Sequence, residues 1–243
     1  MKFLQILAGT VLALIFLGQH SAQAQLVETK IWDIAIGTHV SDLPRDEFPI
    51  QACGTNGGPP STPLDGFEGF AQCDVEGETG LHEVWFSYDD EIEAIARAHR
   101  WVEDQLGQYR ANDLFTHPVL FSFLIDDDGL VQGYRVVSDS REAPETRIDA
   151  DTVARPLKLT VYGPEDWDCV DLPALPGEMP ILDRFNKEIC EKTTDDGRNV
   201  TIETHVYMKP RQDVEAVVLR GENEFVASIR LQVINADLLG ARR

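Results

Sequence analysis

Apolar and polar positions along the chain fall into short runs that predict strands and one longer run that predicts a helix. Leu81–Tyr88, Val119–Ile125, Leu130–Ser138, Val200–Tyr207, Val214–Leu219 and Phe225–Ile234 are rich in β-branched and aromatic residues. Turn residues bound them, which is the signature of strands and hairpins. Between Ile125 and Leu130 stands Asp126-Asp127-Asp128-Gly129. A D-G step of this kind signals a tight turn, because glycine accepts positive φ. Across Asp89–Arg110 the apolar positions are Ile92, Ile95, Ala96, Val102, Leu106 and Tyr109, close to helical spacing. Asp89, Asp90 and Glu91 open that stretch, where carboxylates suit capping and the helix dipole.

The first apolar run is of another kind. Met1-Lys2 carries one positive charge, Phe3–Gly18 is nearly all apolar, and Ala22-Gln23-Ala24 has the small-x-small form of a cleavage site. Together these predict a signal peptide over residues 1–24. The apolar core is shorter than the roughly 20 residues a membrane span needs. No Cys follows it and no later stretch is apolar enough to cross a bilayer, so no anchor is expected after cleavage.

Export changes the reading of the cysteines. All four, Cys53, Cys73, Cys169 and Cys190, follow the leader and would meet an oxidising compartment. Four cysteines allow three connectivities. The pairing Cys53–Cys73 and Cys169–Cys190 is favoured, because the two spacings agree to within one residue. A metal site or a redox-active pair would call for close C-x-x-C steps, and there are none.

The similar spacings suggest an internal duplication. After Cys73 comes a turn and then Leu81–Tyr88; after Cys190 comes a turn and then Val200–Tyr207. Leu64-Asp65-Gly66-Phe67 echoes Leu182-Asp183-Arg184-Phe185. The hairpin Val119–Ser138 is matched to Val214–Ile234, with Arg135 and Arg230 at equivalent places. The Asp89–Arg110 helix accounts for the difference in offset as an insertion. The expected fold class is therefore α+β: two small duplicated units, mostly antiparallel sheets, one local disulfide each, and a helix inserted in the first. The units are placed at 25–140 and 156–243, with a charged linker over 141–155.

Such a pair of stapled α+β repeats resembles the tandem-repeat fold of secreted β-lactamase inhibitor proteins. Gly37-Thr38-His39-Val40-Ser41-Asp42-Leu43 is similar to the opening of small outer-membrane assembly lipoproteins. The resemblance implies protein–protein binding.

Composition then narrows the partners. Among 243 residues, 42 are Asp or Glu and 21 are Lys or Arg, a formal net charge of −21. Losing the leader removes Lys2 and no acid. A polyanion repels nucleic acid and anionic lipid. If the partner is charged, a basic protein surface is expected.

Candidate chemistry is sparse. Asp126–Gly129 and Asp195-Asp196-Gly197 do not fit an EF-hand loop, because Leu124 and Lys192 would occupy its first position. Asp89, Asp90, Asp149, Asp151, Asp195 and Asp196 could form a cation site only by converging in space. His82-Glu83-Val84-Trp85-Phe86 has Phe86 where a zinc motif needs its second His. His99, on the more apolar face of the helix, is expected to be packed or half-buried, and His117-Pro118 to open a strand. Asn199-Val200-Thr201 has the form of a glycosylation acceptor. No G-x-S-x-G or phosphate-cradling loop is present. Trp85 is the first candidate for a recognition surface if exposed.

The leading expectation is an exported, periplasmic or extracellular, non-catalytic binding or envelope-assembly protein. No cofactor, metal site or catalytic residue is assigned. The alternatives are an acidic Ca²⁺-like cation binder and a hydrolase whose site is assembled in space.

Overall fold

The computed structural model of the protein describes residues 29–99, 111–142, 147–181, 183–210 and 225–240. The expected leader, the second half of the expected helix, Val214–Leu219 and the Ala143-Pro144 step lie outside the described residues. The fold is mixed α and β, dominated by antiparallel strands.

In the first half the strands are β1 (Ile50–Cys53), β2 (Pro63–Leu64), β3 (His82–Ser87), β4 (Asp113–Leu114), β5 (His117–Ile125) and β6 (Val131–Ser138). The second half supplies β7 (Asp168–Asp171), β8 (Asn186–Thr193), β9 (Arg198–Met208) and β10 (Phe225–Asn235). All join one ten-stranded sheet in the order β2-β1-β3-β5-β6-β10-β9-β8-β7, with β4 paired to β5. Helix α1 is Glu91–Ala98, α2 is Ala150–Pro156 and α3 is Ala236–Gly240.

Strand chemistry explains the centre of the sheet. Every residue of β5 is buried, as expected of a strand covered on both faces. The hairpin to β6 turns on Asp126, whose Oδ1 accepts the N–H groups of Asp128 and Leu130, while Gly129 takes φ +78°. The β8–β9 hairpin turns at Gly197, φ +80°, whose N–H bonds to Thr194 O.

One face of the sheet carries the main core. Phe86 and Phe123 stack at 4.7 Å, and Phe48 and Phe67 close over them from outside the sheet. The same face continues through Tyr134, Val136, Ile229, Leu231, Val233, Val200 and Ile202. Helix α2 and the π-turn Leu157–Val161 cover its second half, burying Val153, Ala154 and Leu157. Gly37–Leu43 docks on the β5–β6 hairpin: Gly37 N–H bonds to Val131 O and Val40 N–H to Gly129 O.

Both expected disulfides are present. Cys53–Cys73 ties β1 to the end of the 3₁₀ turn Phe67–Gln72, and Cys169–Cys190 ties β7 to β8. The chain-entropy model assigns each roughly 3 kcal/mol.

Several expectations need correction. The duplication is not shown. In the first half β3 lies between β1 and β5, with β6 one strand further on. In the second, β10 pairs directly with β9 along Phe225–Asn235, so no strand separates them. Arg135 and Arg230 are therefore neighbours across the β6–β10 junction, where Gln232 stands opposite Arg135 and Val137 opposite Arg230. They lie in one sheet, not in two. The stretch read as linker becomes helix from Ala150 onward, because Ala150, Val153 and Ala154 can bury against β9 and β10. In α1 the apolar stripe is not fully used: Ala96 is buried, but Ile92 and Ile95 are half exposed.

The β6–β10 junction leaves no room at Gly133, where a Cβ would lie 2.2 Å from Val233 O. Gly133 also follows a register shift between β5 and β6, a bulge position. Gly133→Ala is expected to destabilise by about 1–3 kcal/mol through overpacking. Urea unfolding checks this; an unchanged midpoint would show that the junction yields.

Candidate functional site

The face opposite the main core differs between the two halves. In the first half it is closed by two loops around a buried guanidinium. Arg135 is fully buried. Its Nη1 donates to Glu83 Oε2 at 2.9 Å, its Nη2 to Glu76 Oε1 at 3.1 Å, and its Nε to Gln232 Oε1 at 3.0 Å. Glu83 Oε2 also accepts the Asn56 N–H at 2.7 Å, which pins the Gly54–Pro63 loop. Glu76 accepts the N–H and hydroxyl of Thr79, both at 2.6 Å. Burial alone would raise the pKa of Glu76; Thr79 and Arg135 outweigh it and hold the carboxyl below its ordinary value. Arg230 reaches across the same strands to Glu78 at 3.0 Å and to Asn56 Oδ1. A Cβ on Gly54 would meet Glu83 Cγ at 2.4 Å, so only glycine fits there.

In the second half the same face is open. Along β9 and β10 burial alternates residue by residue. Val200, Ile202, Val206, Ile229, Leu231 and Val233 turn inward. Thr201, Glu203, His205, Tyr207, Val226, Ser228 and Arg230 lie half-buried on the other side. Register aligns them into rows with β8: Lys187 opposite His205, Ile189 opposite Glu203, Glu191 opposite Thr201. Lys187 Nζ lies 5.0 Å from the Tyr207 ring centre and bonds to Glu178 at 3.0 Å. Phe185 packs on Tyr207 at 6.0 Å between centroids. His205 Nε2 is shielded and has no hydrogen-bond partner among the described residues. Burial lowers the pKa of His205, so the ring favours its neutral form.

The acids flagged in the sequence do not converge. Asp149 and Asp151 both bond Arg184, at 3.0 and 3.3 Å. Asp196 pairs with Arg198. Asp89 caps α1 through the Glu91 N–H, and Asp90 and Asp195 are exposed. Among the described residues, one trio of metal-type ligands comes together, Cys169, Glu188 and Cys190, and its two sulfurs form a disulfide.

His39 caps the 3₁₀ turn Val40–Asp42, its Nδ1 2.8 Å from Ser41 Oγ, and both residues are exposed. His82 sits between Cys73 O at 2.7 Å and Asp127 Oδ1 at 3.1 Å. His99 is exposed, contrary to expectation, because it lies beyond the last turn of α1. His117 Nε2 lies 2.7 Å from Ser138 Oγ, a Ser–His contact of the kind a hydrolase uses. Both side chains are buried, however, and Ser138 Oγ also accepts the Ile229 N–H at 2.8 Å. The pair knits β5, β6 and β10 rather than facing a substrate.

Trp85 is half-buried on the loop-covered face. With Ser87, Asp90, Glu93, Asp139 and Arg141 it lines a pocket of about 240 Å³. Asp139 is tied to Arg141, with Oδ2 at 2.5 Å from Nη2. Glu76, Glu83 and the meeting of the two arginines escaped the sequence reading. A usable signal existed: charged residues of opposite sign, Glu83 and Arg135, stand within strands that otherwise read as core.

Comparison with protein-family models, with curated proteins and with solved structures finds no match.

Two predictions follow from these clusters. Arg135→Met leaves two buried carboxylates unpaired and should cost about 3–5 kcal/mol. Denaturant unfolding reads this; a loss below about 1 kcal/mol would mean that the network is dispensable. Burial, with Arg147 nearby, pushes His117 down to about 4 from 6.5. The folded state resists protonation, so stability is complete above pH 6.5 and falls as pH drops toward 4. The depressed carboxyls of Glu76 and Asp139 act in the same direction at lower pH. The His117 share is about 3 kcal/mol. Melting across this range should show the decline, and His117→Asn should flatten it.

Proposed function

We propose that the protein is an exported, non-catalytic binding or envelope-assembly protein that meets a partner protein on the open face of β8, β9 and β10. The observation that carries this is the contrast between the two halves of one face. Loops and a buried ion network close it in the first half, while in the second no such network among the described residues covers Tyr207, His205 and Ile189, which stay partly exposed. Aromatic and arginine side chains on a rigid support are the usual anchors of protein interfaces. An antiparallel sheet readily leaves one face to water or to a partner.

Export is supported by the leader sequence and by two disulfides. No helix among the described residues is long and apolar enough to cross a membrane. The Ser138–His117 pair is buried within the sheet, and the exposed contact of His39 Nδ1 with Ser41 Oγ at 2.8 Å belongs to the cap of a 3₁₀ turn, which favours binding over hydrolysis. The −21 charge favours a partner with basic surface.

Capture from an envelope extract tests the reading directly. The wild-type protein should retain a partner that Tyr207→Asp and Ile189→Asp variants lose at least tenfold, with melting unchanged. A partner held equally by all three would place recognition elsewhere.

A further inference from the structure

The far edge of the sheet is open. β7 pairs with β8 on one side, and among the described residues no strand pairs with its other side. All four of its residues are exposed. The opposite edge is different: it ends in the two-residue β2, which contains Pro63 and so lacks a donor there.

The register decides which main-chain groups point outward. Leu172 N–H donates to Lys187 O at 2.6 Å, so that pair is of the hydrogen-bonded kind. Positions alternate along an antiparallel ladder, so Val170 and Asp168 also bond to β8, while Cys169 and Asp171 do not. The N–H and C=O of Cys169 and Asp171 therefore face the empty side. Cys169 stands directly opposite Cys190, and their disulfide fixes the short strand as a preformed template.

The side chains around this template are acidic and weakly apolar. Asp168 and Val170 lie on the open-face side, with Val170 55% exposed and Ile189 beside it; Asp171 lies on the other side. Glu165 and Asp166 precede the strand. No described cation pairs with Asp168 or Asp171. Two such edges brought within strand spacing would repel, which disfavours a second copy of this chain. A basic partner strand gains both main-chain bonds and charge complementarity.

From this we propose that β7 is a docking edge that accepts an extended, basic segment of a partner protein as an added strand. Main-chain bonds to Cys169 and Asp171 would hold it, basic side chains would oppose Asp168 and Asp171, and an apolar one would oppose Val170. This deepens the binding reading by naming the kind of partner.

The test uses the full exported chain with both disulfides intact. The probes are a capped peptide Thr-Lys-Val-Thr-Lys-Thr-Lys, the same peptide with Glu for Lys, and the Lys peptide methylated on alternate backbone nitrogens. Calorimetry and amide exchange are the readouts. The Lys peptide should bind and slow exchange at Cys169 and Asp171, while the Glu and methylated peptides bind at least tenfold more weakly. Asp171→Pro removes an outward N–H without touching the β8 ladder, and should weaken binding at least tenfold with melting unchanged. Asp171→Asn, which keeps the N–H, should lose only a fewfold. No binding, or equal binding of the methylated peptide, overturns the proposal. A dimer of the free protein that Asp171→Pro dissolves would also overturn it, since the occupant would then be a second copy. Peptide binding that fails while the Tyr207 face still captures a partner overturns this inference alone. The converse result removes the face and leaves the edge.

Discussion

The buried guanidinium of Arg135 is the constraint around which the sheet is organised. A charge removed from water is tolerated only when its donors are satisfied. Arg135 meets this with groups from three places: Glu83 on β3, Glu76 on a loop, and Gln232 on β10. Strands from both halves must be in register before those groups can converge. The network therefore selects the β6–β10 pairing over any arrangement that leaves the halves apart. It also explains why that face is closed where it is. Asn56 and Thr79 bring their loops to the carboxylates that Arg135 holds.

Much of this was legible in the sequence at the level of elements. The β5–β6 hairpin, β3, β9 and β10 follow from β-branched and aromatic runs bounded by D-G and similar turns. The disulfide pairing followed from two matching spacings in a chain expected to be exported. What was not legible is which strands become neighbours. Strand patterns alone allow two small sheets or one large one, because each run carries the same alternation either way. Arg135 and Arg230 looked like copies because both lie on a returning strand. Their partners show instead that they share one cluster, with Glu78 and Asn56 reaching Arg230 and Glu76 and Glu83 reaching Arg135. The helical period of α1 was read correctly for Glu91–Ala98, but period does not reveal burial, and Ile92 and Ile95 stay in solvent.

The candidate face was harder to see. Thr201, Glu203, His205 and Tyr207 follow the polar alternation that any solvated sheet shows. Only the three-dimensional contrast with the loop-covered half makes them notable. Trp85 drew attention in the sequence, yet it is half-buried in a pocket whose carboxylate Asp139 is already paired with Arg141. Tyr207, less conspicuous by residue type, has the better setting: Lys187 lies over its ring and Phe185 braces it.

The acidic excess can now be divided by what each carboxylate does. Asp126 organises a hairpin turn, Asp89 caps a helix, and Asp149 and Asp151 share Arg184. Glu76 and Glu83 are held by Arg135, and Glu188 by Lys158 at 2.7 Å. These groups serve the fold, and each has the cation or N–H donor that its position requires. Asp168 and Asp171 differ, because they stand on an exposed edge with no such partner among the described residues. Charges there keep the edge from pairing with its own kind, which is a common way of protecting a sheet. The same field that repels an acidic strand attracts a basic one, and the disulfide to β8 keeps the backbone extended for it. Protection against self-association and selectivity for a basic strand are thus two consequences of one arrangement of charge.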